Sequence, residues 1–289
     1  LGDVYKRQCQ GCGGELVLRR VLQLAGPDTI VCVPPGCMAG SGAIGWSHDT
    51  GMKVPVHIPL LDNTASFLSG LSHMYERRGR GDVNIVAVAG DGATADCGFQ
   101  SLSGAAERGE KMLYICYDNE GYMNTGYQRS STTTEGSRTS TTPLGSALCG
   151  KQQPQKYIPL ILAMHGVEYC ATATPWNMRD MVEKIEKGLA ASKRGFAYLH
   201  VFSPCPTGWS FAPDQTIEVS KRAVKSNMFP LWEKSEGKYT LNYKNADPIP
   251  VADFVKGIGK FKKLSAEELA SIQRAADERY ATVCALAGM

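Results

Sequence analysis

The chain has 289 residues, 43% of them hydrophobic, and a formal net charge of +3 at pH 7. That composition can bury a substantial core, yet no apolar run approaches the roughly 20 residues of a membrane-spanning helix. The mild, dispersed positive charge argues against a nucleic-acid surface, and ten cysteines without a preceding hydrophobic signal segment point to a reducing cytoplasm rather than a secreted disulfide framework.

Apolar spacing predicts a helix over 15–24, carrying Leu16, Leu18, Val21, Leu22 and Leu24, and then a strand over 29–33. A Gly/Ser-rich loop through Ser47 leads to an apolar stretch over 54–60 and a helix from Asn63 or Thr64 to Arg77. Asn63 is a candidate N-cap, and Arg77-Arg78-Gly79-Arg80 suits the carboxyl end of that helix. Runs 84–89 and 112–117 read as neighbouring buried parallel strands joined by a crossover helix over 97–108. From 128 to 156 the chain is rich in Ser, Thr, Gly and Pro, which in a compact domain suits an active-site cover. Alternation resumes with a helix over 158–165, a strand near 168–172, a helix over 177–189 and a strand over 197–202. After Pro213 come a helix over 217–226, a polar turn-rich stretch over 234–247 and a long helix over 265–287 with few core-sized residues per turn. The expected architecture is α/β, a doubly wound, mostly parallel sheet over 9–225. A helical or irregular carboxy-terminal arm over 226–289 is expected to pack on a partner subunit.

Chemistry concentrates at two turns. Gly90-Asp91-Gly92 ends the first strand of the central pair, and Asp118-Asn119-Glu120-Gly121 ends the second. Adjacent parallel strands bring Asp91 and Asn119 to the carboxyl edge, where open α/β sheets hold ligands. The Asp91 carboxylate, the Asn119 amide and the Gly121 carbonyl offer three hard oxygens, which magnesium completes with waters and diphosphate oxygens. The glycines let the backbone approach a diphosphate, and the following helix aims N–H groups at it. A lone Gly-Asp-Gly is common in tight turns; the spaced pair is far more specific.

Four cysteines also stand in informative places. Cys9 and Cys12 can bind one centre from a single turn, Cys37 lies in a Pro34-Pro35-Gly36-Cys37 loop, and Cys205 sits between prolines after a strand. Four thiolates suit zinc or a [4Fe–4S] cluster, and spacing alone puts zinc slightly ahead. Cys32, Cys97, Cys116, Cys149, Cys170 and Cys284 read as small buried residues, and His48, His57, His73, His165 and His200 as structural histidines.

Together, Gly90-Asp91-Gly92, the 26 intervening residues before Asn119, the run from Tyr117 to Gly126, Cys9-x-x-Cys12 and Pro204-Cys205-Pro206-Thr207-Gly208-Trp209 resemble the beta subunit of pyruvate:ferredoxin oxidoreductase and its 2-oxoacid relatives. The resemblance covers nearly the whole chain from Cys9; residues 1–8 depart from it and read as a truncated or incidental start. It implies a sheet of the thiamine diphosphate-binding type, with Gly90, Asp91, Gly92, Ala93, Asn119, Gly121, Asn124, Cys37 and Asn63 bordering the cofactor. It makes Asp91, Asn119 and Gly121 magnesium ligands, and it reverses the order for the thiols, making Cys9, Cys12, Cys37 and Cys205 ligands of a [4Fe–4S] cluster. Asn124 becomes a catalytic candidate at the reactive end. The implied reaction is oxidative decarboxylation of a 2-oxoacid, pyruvate first among branched-chain, aryl and oxalate alternatives, to an acyl-coenzyme A. Ferredoxin or flavodoxin would accept the electrons. The glutamate that activates thiamine has no match here, so an alpha subunit is expected to supply it, with gamma and delta subunits alongside. Relatives often carry Glu two residues after the second cysteine; Gly14 stands there, which sets Glu15 off register. A non-redox thiamine enzyme with a structural zinc is the alternative from the residues, and a zinc-stapled scaffold a further one.

Overall fold

The computed structural model describes residues 9–39 and 53–289. The start at 1–8 and most of the Gly/Ser-rich loop, His48 included, lie outside the described residues. The chain opens with helix α1 (Gly13–Ala25), strand β1 (Thr29–Cys32), strand β2 (Val56–His57) and helix α2 (Thr64–Arg77). Strand β3 (Asn84–Gly90), helix α3 (Phe99–Glu107) and strand β4 (Met112–Asp118) form the central unit. Helix α4 (Ile158–Ala163), strand β5 (Tyr169–Ala173), helix α5 (Met178–Ala191) and strand β6 (Phe196–Phe202) complete the parallel part. There follow α6 (Pro206–Trp209), α7 (Thr216–Lys225), β7 (Trp232–Ser235), β8 (Lys238–Leu241), α8 (Val251–Val255) and α9 (Ala266–Leu286).

The strands form one sheet in the order β2-β1-β3-β4-β6-β5-β7-β8, parallel from β2 to β5 and antiparallel at β7 and β8. All seven residues of β4 are buried, as a strand covered on both faces requires. Alternation divides the core. Val86, Val88, Leu113 and Ile115 pack with Val17, Leu18, Val21, Met181 and Ile185 of α1 and α5. Ile85, Ala87, Met112 and Tyr114 pack with Leu68, Leu102, Ala105 and Leu162 of α2, α3 and α4 on the other face. Each such large aliphatic side chain stabilises the fold by roughly 1.5–3 kcal/mol.

Several boundaries move. The crossover does not begin as an α-helix at 97: a π-helical turn, Gly92–Asp96, comes first, and α3 starts at Phe99. Strand pairing in the 54–60 stretch is confined to β2. The polar stretch over 234–247 holds a hairpin instead of irregular chain. Glu236 and Gly237 both take positive φ (51° and 77°), the twist that matches a two-residue hairpin, and β7 then pairs with β5. Trp232 enters the core at that edge, and Tyr169 Oη donates to Glu233 Oε2 at 2.7 Å.

The carboxy-terminal elements build a third cluster, with Phe202, Trp209, Phe229, Leu231, Phe254 and Phe261 at its centre. Helix α9 begins with a capping box between Ser265 and Glu268 and buries only Ile272, Ala276 and Val283, a narrow stripe. Its Arg279 donates to Met228 O at 2.7 Å and Gln155 Oε1 at 2.8 Å and lies over the Tyr157 ring. Among the described residues no helix is long and apolar enough to cross a membrane.

Gly98, between the π-turn and α3, has no space for a side chain: a Cβ there would collide with the carbonyls of Ala93 and Leu61, both backbone atoms. Gly98→Ala is therefore expected to lower the free energy of unfolding by about 1–3 kcal/mol. Chemical denaturation measures it, and an unchanged midpoint would contradict this packing.

Candidate functional site

Register brings the two turns together. Gly90 pairs with Tyr117 and Asp118 with Phe202, so Asp91, Asn119 and the Cys205 loop leave the sheet along one edge. The direction of chain travel reverses between β1 and β3, which opens a crevice at their carboxyl ends. The Cys37 loop follows β1, on the same edge.

Asp91 is 1% exposed. Burial, and then the charge of Asp118, hold its carboxyl well above the usual carboxylate range. Thr132 Oγ1 lies 3.1 Å from Asp91 Oδ2 and 2.8 Å from Asp118 Oδ1. One hydroxyl proton serves two acidic oxygens there. Asp118 is fixed further by the Glu120 amide at 2.9 Å and by His200 Nε2 at 2.8 Å, while His200 Nδ1 meets Tyr198 Oη at 2.6 Å. His200 is thus structural, as expected, but it braces the site. His73 pairs with Glu110 and His165 with Ser103, away from it.

One terminal atom of the Asn119 amide faces both Asp91 Oδ1 at 3.0 Å and Gly121 O at 2.9 Å. As nitrogen it donates to both. As oxygen it would make a third oxygen at one point, which needs a cation between them. Asp91, Asn119 and Gly121 therefore fit a hard divalent ion, with the remaining positions left to water or phosphate. Gly121 is required by crowding, since a Cβ would lie 2.7 Å from the Tyr127 ring. Gly92 and Ala93 are buried in the π-turn, whose start carries no side-chain cap; a Cβ at Gly92 would meet the Tyr122 ring. Thr94 Oγ1 donates to Gly90 O at 2.7 Å and holds the turn against β3.

The thiols gather beside this turn. Cys12 precedes α1 as its N-cap residue; burial pushes its thiol up to about 11, with Cys205 and Cys9 adding to the shift. Cys37 is pushed up to about 12, first by burial and then by Cys12, Cys205, Asp91 and Cys9. Burial raises Cys205 too, against a bond to its sulfur from the Gly208 amide at 3.3 Å. The four predicted ligands are therefore mutual electrostatic neighbours, and Cys37 feels Asp91. Cys9 is exposed and Cys12, Cys37 and Cys205 are half-buried; the three raised thiols ionise most readily against a compensating cation, which fits a metal centre. Among the described residues no three Cys, His, Asp or Glu side chains converge as they would on one ion. A cluster does not need that convergence, because each thiolate takes its own iron.

Two predicted residues stand apart from this core. Asn124 is exposed in a 3-10 turn (Met123–Thr125). Asn63 is exposed too, and its side chain does not cap α2. The 128–156 segment is less a cover than a packed wall: Ser130, Thr132, Thr133, Thr134 and Ser137 are buried, and Lys151 Nζ donates to the carbonyls of Ser131, Thr133 and Pro154. Sequence reading missed Thr132, the Glu120–Lys260 ion pair and Tyr117. Tyr117 touches the start of α1 at Gly14, the Cys37 loop at Gly36 and the clamp at Gly90. A Tyr within an apolar strand run, directly before Asp118-Asn119, is the only advance signal for it.

The fold and this turn are those of a thiamine pyrophosphate-binding domain: residues 60–201 match the family model described as the thiamine pyrophosphate enzyme, C-terminal TPP binding domain. The pyruvate synthase subunit PorB of Methanothermobacter marburgensis is 41% identical over 273 residues, 94% of this chain and 93% of that protein. The NADH-dependent phenylglyoxylate dehydrogenase subunit beta of Aromatoleum evansii is 50% identical over 268 residues, 92% of this chain, but the chain spans only 60% of that relative. A solved 2-oxoglutarate:ferredoxin oxidoreductase from Magnetococcus marinus shares the fold, with a TM-score of 0.57 and 23% identity over 69% of this chain and 64% of that one. The chain belongs to the family of 2-oxoacid:ferredoxin oxidoreductase beta subunits.

Replacing Asp91 by its neutral isostere removes the like-charge conflict with Asp118. Asp91→Asn is expected to raise the stability of the metal-free protein at neutral pH, where burial and Asp118 oppose the charge of Asp91. Denaturation in the presence of a chelator reads this; a loss of stability would show that the Asp91 charge is already compensated within the chain.

Proposed function

We propose that this chain holds magnesium thiamine diphosphate and a [4Fe–4S] cluster and forms the decarboxylating centre of an enzyme converting a 2-oxoacid and coenzyme A to an acyl-coenzyme A and carbon dioxide. Two electrons leave singly for ferredoxin or flavodoxin. The observation that carries the reading is the meeting of four thiols and the Asp91–Asn119 turn on one sheet edge, with Cys37 in reach of the Asp91 charge.

Asp91, Asn119 and the Gly121 carbonyl hold the ion, and the amides of the π-turn from Gly92 and Ala93 orient the diphosphate. Cys9, Cys12, Cys37 and Cys205 hold the cluster. Bound thiamine supplies the electron sink for loss of carbon dioxide, and the cluster a one-electron acceptor beside it. Exposed Asn124 is the candidate that turns its amide to the substrate, and the family resemblance makes Asn63 a candidate neighbour of the cofactor. An alpha subunit completes the site with the thiamine-activating glutamate, and the exposed side of α9 and the 226–289 arm receive a partner chain. Gamma and delta subunits carry electrons onward. The reducing cytoplasm suits thiol-held iron.

Pyruvate is the leading substrate, supported by relatives named as pyruvate synthase subunits at 38–41% identity over most of their length. An aryl 2-oxoacid is the second reading, favoured by the 50% identity to the phenylglyoxylate dehydrogenase subunit. The complex purified with its partners is expected to prefer one acid by about tenfold or more in kcat/KM, about 1.4 kcal/mol of transition-state discrimination. Preference for phenylglyoxylate would replace the pyruvate reading, and activity on no 2-oxoacid would remove both.

Asp91→Ala should abolish magnesium-dependent thiamine binding by calorimetry while iron content stays at the parental level. Cys12→Ala should do the reverse. Full iron occupancy in the Cys12 variant would take that residue out of the ligand set, and unchanged thiamine affinity in the Asp91 variant would reject the clamp.

A further inference from the structure

Lys260, in a 3-10 turn (Gly259–Phe261) of the carboxy-terminal region, has a fully buried side chain. Its Nζ lies 2.6 Å from Glu120 Oε2, and Glu120 stands between Asn119 and Gly121 in the cation-binding turn. Glu120 takes positive φ (60°) and is fixed by the amide and hydroxyl of Thr134 at 2.9 and 2.8 Å. The same ammonium sits 3.4 Å from the centre of the Trp209 ring. Trp209 shares α6 with the Cys205 loop, donates its amide to Cys205 O at 2.9 Å, and sends its indole N–H to Asn119 O at 2.8 Å. One buried cation thus touches both the turn proposed for the metal and the helix that carries a cluster thiol.

A buried ion pair adds little to stability over a well-packed apolar pair, so stability alone does not explain it. Its orientation is informative. The carboxylate end is anchored in the 118–121 turn and by Thr134, while the ammonium end lies on the face of Trp209, in the helix that Cys205 caps. Lys260 also acts on Cys205 electrostatically, where it opposes the rise of the thiol.

We propose that Lys260 is a positioning residue that raises the reduction potential of the cluster held at Cys205, while fixing the Asn119–Gly121 turn through Glu120. A positive charge in a dry setting stabilises the reduced cluster, which carries one more electron, over the oxidised one. The inference rests on the cluster assignment above. Iron-free parental protein would remove that assignment, and the inference with it, before any Lys260 variant is read.

The test is a redox titration of the complex, purified anaerobically and followed by electron paramagnetic resonance. The signal of this chain is the one that Cys12→Ala abolishes. Lys260→Met is expected to shift the ratio of reduced to oxidised cluster about tenfold toward oxidised at a fixed potential, about 59 mV for a one-electron couple. Because Lys260→Met leaves Glu120 unpaired and can fail to fold, the double variant Lys260→Gln with Glu120→Gln replaces the pair by neutral hydrogen-bonding groups and should shift the same way. Lys260→Arg, which keeps the charge, should stay near the parent. A neutral pair with parental potential overturns the inference, as does Lys260→Arg shifting as far as the neutral pair. A neutral pair unable to hold iron also overturns it, since Lys260 would then act on assembly instead of potential.

Discussion

Burial of Asp91 beside Asp118, at the ends of two adjacent parallel strands, is the constraint around which the rest of this edge is arranged. Like charges in a dry setting make ionisation of Asp91 costly, and the register of β3 and β4 leaves no freedom to separate them. The fold responds from several directions. Thr132 reaches in from the 128–156 wall, His200 comes from β6, and the Glu120 amide closes over Asp118. These groups steady the carboxylates without cancelling the charge of Asp91. Under the proposed assignment an external divalent ion would do that, and a local instability would become binding energy for the ion and the diphosphate it carries.

The same economy of placement joins the second site to the first. Parallel strands send every loop after a carboxyl end to one side, so the Cys37 loop after β1, the clamp after β3 and β4, and the Cys205 loop after β6 share an edge. The Cys9–Cys12 turn comes from the chain start and is held by a different device. Gly11 takes positive φ (72°) and packs so tightly on the Pro213 carbonyl that a side chain would collide with it, and Thr216 Oγ1 donates to Gly11 O at 2.6 Å. Docking of that turn on the stretch after Cys205 is what brings thiols nearly 200 residues apart in sequence into one group. Tyr117 then packs between α1, the Cys37 loop and Gly90 and so spans the two sites.

Much of the central unit was legible beforehand because its signals are local. The apolar runs of β3 and β4 need two-sided burial, and Gly90-Asp91-Gly92 with Asn119 names its own chemistry. The wall over 128–156 was not legible, because Ser and Thr in a loop carry no periodicity, and their burial depends on bonds to Asp96, Asp91 and Glu120 far away in sequence. The hairpin β7–β8 was hidden in the polar, turn-rich stretch over 234–247, because the partners of Glu233 and Lys234, Tyr169 and the Ala163 carbonyl, are far away in sequence. Lys260 carries no local signal in the sequence; only the fold places it against Trp209 and Glu120.

The central claim is that the Asp91 turn and the four thiols work as one electron path. The most direct measurement is the visible spectrum of the anaerobic complex, with iron and zinc content, before and after adding a 2-oxoacid and coenzyme A. The account predicts iron near four atoms for the cluster of this chain and bleaching of its absorption on addition of substrate, lost in Asp91→Ala although the iron remains. Zinc in place of iron, or a cluster whose spectrum ignores every 2-oxoacid, would contradict it.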